Sequence, residues 1–399
     1  MSHSSNNTSE SLQFSKEELE RYSRHLIIPE FNIEGQRKLK NARVLVIGSG
    51  GLGSPALLYL AAAGVGHIGI VDFDKVDASN LQRQVLFTMQ DVGRPKVEAA
   101  KERLLGLNPY IQITTYNTHL NASNALDIFK DWDIVCDGTD NFPTRYLVND
   151  ACVLLGKTNV YASIFRFDGQ VTVFNYRYPN GEYGPNYRDL YPEPPPPGLV
   201  PSCAEGGVLG VLPGIIGSLQ ANETIKVITG LGEPLVGRMF ALDALTFHTR
   251  IFRFKKDPNN PISGQNPTIK KLIDYEQFCG IPQQKQQNQK SQQGVKEITV
   301  QELKAMLDNQ EDFQLIDCRE PYEYEIVNLQ GELIPLGQIL EAKDRIATNK
   351  KVVIHCRSGQ RSANAIKALE QKYGFENLYN LKGGILAWAA EIDPSLPRY

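Results

Sequence analysis

The stretch RVLVIGSGGLGSPALLYLAAAGVG, residues 43–66, constrains the fold more than any other part of this chain. Its apolar run, glycine-rich turn and alanine- and leucine-rich segment predict a strand, a tight turn and a helix. Further strand-like runs alternate with helical stretches, at residues 68–71, 111–116, 133–136, 159–162 and 171–174. This pattern predicts an α/β fold with a Rossmann-like, mostly parallel sheet and helices on both faces. Residues 245–254 alternate apolar and polar side chains, which predicts an antiparallel addition at the end of the domain.

The segment IPQQKQQNQKSQQG, residues 281–294, divides the chain because it has almost no apolar side chains with which to order itself. We predict a linker there, between a domain at residues 15–280 and a small α/β domain at residues 295–399. Residues 1–14 are polar and predict a disordered tail. Ser15 and Glu18 have the spacing of a capping box, which predicts a helix start.

Charge and apolar content exclude several classes of protein. The formal net charge of -3 gives no basic surface for binding a nucleic-acid backbone. No apolar run reaches the roughly 20 residues of a membrane span. With no signal-peptide core at the N-terminus, these features predict a soluble cytoplasmic protein that binds neither nucleic acid nor membrane. The six cysteines are dispersed without a CxxC pair and are expected to be reduced thiols.

Three glycines suggest a phosphate-binding turn. Gly48, Gly50 and Gly53 fit GxGxxG, in which the backbone approaches phosphates at a helix N-terminus. Asp72 follows the next predicted strand, where a ribose-binding carboxylate belongs. From these residues alone, a dinucleotide and ATP are equally good interpretations, and glycines that serve only tight packing are a third.

Charged side chains downstream favour ATP. Asn80, Arg83 and Lys96 follow Asp72 along the chain, and Asp140 comes just after a later predicted strand. Two cations and a carboxylate suit a triphosphate, because cations stabilise charge at the α-phosphate and a carboxylate holds magnesium. Solvated surface positions for Arg83 and Lys96 are the alternative.

Over about residues 19–280 the chain resembles the MoeB and ThiF adenylyltransferases, because it contains five of their motifs in the same order. The motifs are GSGGLGS, DFDKVDASNLQRQ, GRPKVEAA, CDGTDNFPTRYLVND and IGSLQANETIK. The resemblance implies ATP, magnesium and a homodimer in which Arg24 reaches the ATP of the neighbouring subunit. The implied substrate is a small ubiquitin-fold sulfur carrier whose C-terminal Gly-Gly carboxylate attacks the α-phosphate, giving an acyl-adenylate and pyrophosphate. The implied nucleotide site, with Asp140 at magnesium, comprises Gly48, Gly50, Gly51, Gly53, Asp72, Asp74, Ser79, Asn80, Arg83, Lys96, Asp140 and Asn141.

The chain departs from this family at one place. The family commonly binds structural zinc through two CxxC pairs, and the corresponding positions here are Asn186, Asp189, Asn260 and Ser263. None of these side chains is a thiolate, so we predict no zinc.

Cys356 begins CRSGQRS, between the predicted strand KVVIH and a helix. Loop N–H groups, the helix N-terminus, Arg357 and Arg361 all favour a thiolate, which predicts a lowered pKa and a nucleophile. Cys-dependent phosphatases share the His-Cys-loop-Arg pattern but have five residues between Cys and Arg. Here there are four, Arg357, Ser358, Gly359 and Gln360.

Residues 295–399 resemble the rhodanese sulfurtransferases, both in the CRSGQRS loop and in the segment LIDCREPYEYE near the start of the domain. The resemblance implies a persulfide on Cys356, held by the loop from Arg357 to Arg361. Cys318 is interpreted as a buried thiol at a strand end rather than as a second nucleophile. Cys203, in PSCAEGGVLG, is structural or catalytic by its chemistry. The adenylyltransferase resemblance favours the catalytic role, in which Cys203 attacks the activated carrier or resolves an acyl-disulfide.

An adenylating domain followed by a rhodanese domain resembles the enzymes that make a carrier thiocarboxylate for molybdopterin synthesis. The implied sulfur donor is thiosulfate or the persulfide of a cysteine desulfurase. Two alternatives stay open: a carrier for thiamine or tRNA thiolation, and a scaffold with one active domain. The motifs disfavour a dehydrogenase.

Overall fold

The computed structural model describes residues 14–195, 206–280 and 295–398, which form two compact units separated by residues 281–294. Nearly all of the predicted tail, the whole predicted linker and Cys203 lie outside the described residues. The predicted boundaries of tail and linker therefore stay predictions. No helix in the described parts of the chain is long and apolar enough to cross a membrane.

The first unit is built on an eight-stranded sheet. In spatial order the strands are β3, β2, β1, β4, β5, β6, β7 and β8. Neighbours from β3 to β5 are parallel, and the pairs from β5 to β8 are antiparallel, as predicted. The strands are β1 Arg43–Ile47, β2 His67–Val71, β3 Gln112–Tyr116, β4 Ile134–Asp137, β5 Thr158–Phe165, β6 Asp168–Phe174, β7 Arg238–Asp243 and β8 His248–Arg253.

Helices cover both faces of this sheet. They are α1 Lys16–Arg21, α2 Ser23–Leu26, α3 Asn32–Asn41, α4 Gly53–Ala63, α5 Lys96–Leu107, α6 Ala125–Phe129, α7 Phe142–Leu155, α8 Tyr187–Leu190, α9 Val211–Thr229 and α10 Tyr275–Phe278. Short 3₁₀ helices span Ala78–Asn80 and Met89–Asp91. The predicted capping box starts α1: Ser15 Oγ accepts from the Glu18 backbone N–H and the Glu18 carboxylate accepts from the Ser15 N–H.

Strand β1 shows why the sheet has two covered faces. Val44 and Val46 pack with residues of α4 and α5, whereas Leu45 and Ile47 pack with residues of α6 and α7. All four are buried, which explains the continuous apolar run in the sequence. The strand order reverses between β1 and β4, and the crevice beyond the carboxyl ends of such strands is where open α/β sheets bind ligands.

The second unit has a five-stranded parallel sheet in the order β11, β10, β12, β13, β9. The two predicted strands, FQLID and KVVIH, form the adjacent β10 and β12. The strands are β9 Glu297–Ile298, β10 Phe313–Asp317, β11 Glu332–Leu333, β12 Lys351–His355 and β13 Leu378–Leu381. The helices are α11 Val300–Asp308, α12 Pro321–Ile326, α13 Gln360–Tyr373 and α14 Gly384–Glu391, with 3₁₀ turns at Leu336–Gln338 and Lys343–Arg345.

Candidate active sites

A cavity of about 950 Å³ lies beyond the carboxyl ends of β1 and β4. Its volume is in the range of small-molecule sites. Gly53, Ser79 and Arg24 are not among its lining residues; Arg24 is exposed on α2, and its contact with a neighbouring subunit stays a prediction. Ten of the predicted nucleotide-site residues line the cavity: Gly48, Gly50, Gly51, Asp72, Asp74, Asn80, Arg83, Lys96, Asp140 and Asn141.

The turn after β1 needs glycine at two positions. Gly48 has φ +84°, a left-handed conformation that favours glycine. A Cβ on Gly53 would lie 1.9 Å from the Gly48 carbonyl oxygen, so any side chain there would displace the turn. Gly53 therefore shapes the cavity from behind its lining. Because α4 begins at Gly53, directly after the lining residues Gly51 and Leu52, the helix N-terminus provides N–H groups for an anion.

Hydrogen bonds hold the Asp72 carboxylate in place. One oxygen accepts from the backbone N–H and the hydroxyl of Ser49, at 2.9 and 2.8 Å. The other accepts from the Asp74 backbone N–H at 3.0 Å. A carboxylate with a defined orientation at the end of β2 suits recognition of a ribose hydroxyl.

The two cations face the cavity. Lys96 is buried, and its Nζ donates to the Asp74 carboxylate at 2.9 Å. Arg83 is half-buried, and its Nη1 donates to the Ser79 backbone oxygen at 3.3 Å. The alternative of a solvated surface position is wrong for Lys96. Ser79 contacts Arg83 through its backbone and is itself held by two hydrogen bonds to Asp77.

Asp140 provides an exposed carboxylate at the start of α7, where Asn141 caps the helix by accepting from the Thr144 N–H at 3.0 Å. In the described ranges Asp140 has no ion-pair partner, and no group of three or more His, Cys, Asp or Glu side chains forms a metal cluster. Magnesium in nucleotide sites is held by one or two carboxylates together with substrate phosphates. Asp140 fits that role beside a triphosphate.

Sequence reasoning missed part of the cavity wall. Gln84 and Arg145 belong to motifs that the sequence analysis quoted, so they had a detectable signal. The loop at residues 118–123 and the segment at residues 273–276 also line the cavity, and no motif indicated them.

Asp137 lies just behind the lining of the cavity. Burial raises the pKa of Asp137 to about 6, although its carboxylate also accepts hydrogen bonds from the N–H and hydroxyl of Thr139.

The four positions that carry zinc ligands in the resembled family meet in space. Asn186 Nδ2 donates to Ser263 Oγ at 2.8 Å, and Asn260 Nδ2 donates to Asp189 at 2.7 Å and to Asn186 Oδ1 at 3.3 Å. A hydrogen-bond network thus joins the two segments that a metal ion joins elsewhere. That the protein holds no zinc stays a prediction.

The second site surrounds Cys356, which lies between β12 and α13. The Gly359 backbone N–H donates to its sulfur at 3.1 Å. The Ser362 hydroxyl lies 3.4 Å from the sulfur and 2.6 Å from Asn380 Oδ1, and its single proton is shared between these acceptors. Hydrogen bonds from Cys318, Ser362 and the loop outweigh burial and lower the pKa of Cys356 to about 5. The predicted lowered pKa is therefore found, together with a donor that the sequence analysis did not anticipate, Cys318.

Arg361 has a more specific position than the sequence indicated. Both of its terminal nitrogens donate to the Glu323 carboxylate of α12, at 2.7 and 2.6 Å. This ion pair ties the start of α13 to the segment that follows β10. Of the other loop residues, Arg357 is half-buried, whereas Ser358 and Gln360 are exposed and available to an incoming sulfur donor.

Comparison with known proteins places both units in families. The ThiF family model matches residues 22–262, well over half of the chain. The chain belongs to the ThiF family. A rhodanese-like domain model matches residues 299–391.

Named relatives of this ThiF-family protein agree with that assignment. The probable adenylyltransferase/sulfurtransferase MoeZ of Mycobacterium tuberculosis is 51% identical over 96% of both chains. The sulfur carrier protein adenylyltransferase of Thermus thermophilus is 53% identical over 68% of this chain and 100% of its own. The crystal structure of E. coli MccB with ATP is similar at a TM-score of 0.50, with 25% identity over 58% of this chain and 69% of that chain.

The chain is therefore an enzyme that joins an adenylyltransferase to a sulfurtransferase. Membership of this family implies the use of ATP, which replaces the dinucleotide interpretation of the glycine-rich turn.

Proposed function

We propose that this enzyme adenylates the C-terminal Gly-Gly carboxylate of a small ubiquitin-fold sulfur carrier and converts it to a thiocarboxylate, for molybdopterin synthesis. The observation that carries the proposal is one chain with both a cation-lined cavity at a glycine-rich turn and an activated thiol in a rhodanese-like domain. The relative from Thermus thermophilus is named for acting on a sulfur carrier protein, which supports the choice of substrate.

In the first step the carrier carboxylate attacks the α-phosphorus of ATP, and pyrophosphate leaves. Lys96, Arg83 and the N-terminus of α4 stabilise the charge that develops on the phosphate oxygens. Asp72 binds the ribose, and Asp140 would hold magnesium, which would neutralise phosphate charge. Lys96 donates to Asp74 in the described structure, so it is already fixed at the cavity wall before the nucleotide binds.

In the second step the Cys356 thiolate takes the outer sulfur of thiosulfate, releasing sulfite, or receives it from a desulfurase persulfide. The persulfide then attacks the acyl-adenylate carbonyl and expels AMP, which leaves an acyl-disulfide between the carrier and Cys356. A second thiol attacks Cys356 Sγ, forming a disulfide with it and releasing the carrier thiocarboxylate. We assign the role of this second thiol to Cys203, which lies outside the described residues. A dithiol reductant then returns the disulfide to two thiols. A homodimer in the cytoplasm, with Arg24 of each subunit at the other's nucleotide, completes the proposal.

The test is carrier-dependent ATP–pyrophosphate exchange, with ubiquitin-fold proteins ending in Gly-Gly from the same genome as candidates. Exchange with one carrier identifies the substrate and its pathway. The D140A variant is expected to reduce exchange about a hundredfold or more, because one fixed charge in such a site contributes this much. The matched control is D127A, since Asp127 is an exposed aspartate paired with Lys130 away from the cavity.

Exchange that is absent with every carrier, or equal in D140A and D127A, would contradict the first step. The second step has a separate test, because C356A is expected to retain exchange and lose thiosulfate sulfurtransferase activity. Retained sulfurtransferase activity in C356A would show that another group carries the sulfur.

A further inference from the structure

Cys318 is the one described thiol that lies against the active-site thiol. Strands β10 and β12 are parallel neighbours with Ile316 opposite Ile354 and Asp317 opposite His355. The ladder continues for one more residue, because the Cys318 backbone N–H donates to the His355 oxygen at 2.9 Å. Cys318 is therefore opposite Cys356.

Both cysteines point to the same face of the sheet. Side chains alternate along a strand, so Cys318 shares a face with Ile316, and Cys356 shares it with Ile354. All four residues are fully buried in one apolar cluster. The Cys318 thiol is the largest cause of the lowered pKa of Cys356, in agreement with this side-by-side placement.

The spacing of neighbouring strands lies within the Cα range of disulfide-bonded cysteines. Neighbouring strands lie about 4.8 Å apart, and Cα atoms of disulfide-bonded cysteines are about 4.4–6.8 Å apart. Both thiols are free in the structure. The geometry thus suits a pair that exists in both reduced and oxidised forms.

We propose that Cys318 is a resolving thiol, which attacks the persulfide of Cys356 when no acyl acceptor arrives and gives the enzyme a sulfide-releasing activity. The inference rests on the proposed persulfide at Cys356. A bond forms between the Sγ atoms of Cys318 and Cys356, and the bond from Cys356 Sγ to the outer sulfur breaks. The outer sulfur leaves with the bonding pair and takes up the Cys318 proton, so it departs as hydrosulfide.

The step balances without an external oxidant. The Cys318 sulfur is oxidised to the disulfide level while the outer sulfur is reduced to sulfide. A dithiol reductant then returns the Cys318–Cys356 disulfide to two thiols by thiol–disulfide exchange. The net reaction converts a persulfide into free sulfide at the expense of that dithiol.

Burial makes this discharge slow at neutral pH. In the free enzyme the Cys356 thiolate and burial raise the pKa of the Cys318 thiol. Burial remains when Cys356 carries the persulfide, so little Cys318 thiolate is present to attack. A persulfide therefore persists long enough to meet an activated carrier, and is discharged when none comes.

The experiment uses the full chain, reduced and then freed of thiol, and loaded with thiosulfate in the absence of carrier. Sulfite reports loading, released sulfide reports discharge, and mass spectrometry of non-reduced peptides identifies the cysteines that become linked. We expect sulfide release together with a peptide pair that joins Cys318 to Cys356. This measurement is made on the wild-type protein.

The C318A variant is expected to hold the loaded persulfide at least about ten times longer, because the attacking thiol is gone. The matched control is C279A, which removes a buried cysteine of the first unit and should discharge like the wild type. Two results would overturn this inference but not the proposed function. One is a persulfide that lasts as long in the wild type as in C318A, and the other is a disulfide from Cys356 to another cysteine. Failure to load Cys356 at all would overturn the proposed persulfide as well.

Discussion

The two sites of this protein use opposite means to stabilise negative charge. The nucleotide cavity is large and lined with charged side chains, of which Lys96 is buried and Asp140 is exposed. At the thiol site Cys356 is fully buried, and its charge is stabilised by neighbouring thiol, hydroxyl and backbone groups. A triphosphate needs room and spread-out charge, whereas a single sulfur atom needs a few close donors. The sites should therefore respond to different changes.

The largest effect is expected for G53A. An alanine Cβ would lie 1.9 Å from the Gly48 oxygen, so the turn must move and the phosphate-binding backbone is lost. Pyrophosphate exchange should fall more than about a thousandfold, well beyond the loss of one donor. Thiosulfate sulfurtransferase activity should stay unchanged, because the second unit has its own core. Equal losses of both activities would break the comparison.

The next largest effect is expected for K96M, which removes a buried cation but retains most of the side-chain volume. Exchange should fall about a hundredfold to a thousandfold, as for other fixed groups that stabilise transition-state charge. K130M serves as the control, since Lys130 is exposed and pairs with Asp127. If both variants lose exchange equally, Lys96 has no special role at the phosphates.

A smaller effect, on stability, is expected for D189A. Asp189 accepts from Asn260 Nδ2 and from the backbone N–H groups of Asn186 and Asp257, at 2.7–2.9 Å. Losing this acceptor leaves buried donors unpaired and should cost about 1–3 kcal/mol in the free energy of unfolding of the first unit, measured by urea denaturation. EDTA should not change the unfolding midpoint of the wild type. A midpoint lowered by EDTA would show that metal, rather than hydrogen bonds, joins these segments.

The smallest effect is expected for S362A. The Ser362 hydroxyl lies 3.4 Å from the Cys356 sulfur and lowers its pKa, although its proton is shared with Asn380 Oδ1 at 2.6 Å. Its removal should therefore raise the pKa of Cys356 from its value of about 5. The measurement is the rate at which iodoacetamide alkylates Cys356 as a function of pH, and we expect the midpoint of this profile to move up by about one pH unit. The wild-type rate should be nearly constant between pH 7 and 8 and fall as the pH approaches 5. S358A provides the control, because the Ser358 side chain is exposed. An unshifted profile in S362A would rule out the hydroxyl as a stabilising donor.

Local sequence was sufficient for features that depend on neighbouring residues. The glycine-rich turn, the capping box at Ser15 and the loop after β12 each form within a few residues, so their side-chain requirements are visible as motifs. The burial of Lys96 could not be read from a local motif, because nothing in the neighbouring sequence distinguishes a buried lysine from an exposed one. Only packing against the loop that carries Asp74 distinguishes them.

Contacts between distant segments required the folded chain. The meeting of Asn186, Asp189, Asn260 and Ser263 joins segments that are more than 70 residues apart, and the resemblance supplied the positions without their hydrogen bonds. Cys318 and Cys356 are 38 positions apart, and only the register of β10 and β12 places them side by side.

The amino-acid sequence by itself therefore determined the α/β architecture, the phosphate-binding turn and the reactive thiol. These depend on hydrophobic periodicity, on backbone conformations open only to glycine, and on groups adjacent in the chain. Tertiary structure decided which buried lysine faces the cavity, what replaces the zinc ligands and which second thiol contacts Cys356. Those outcomes depend on strand register and side-chain burial, because contact between distant residues is set by how the whole chain packs.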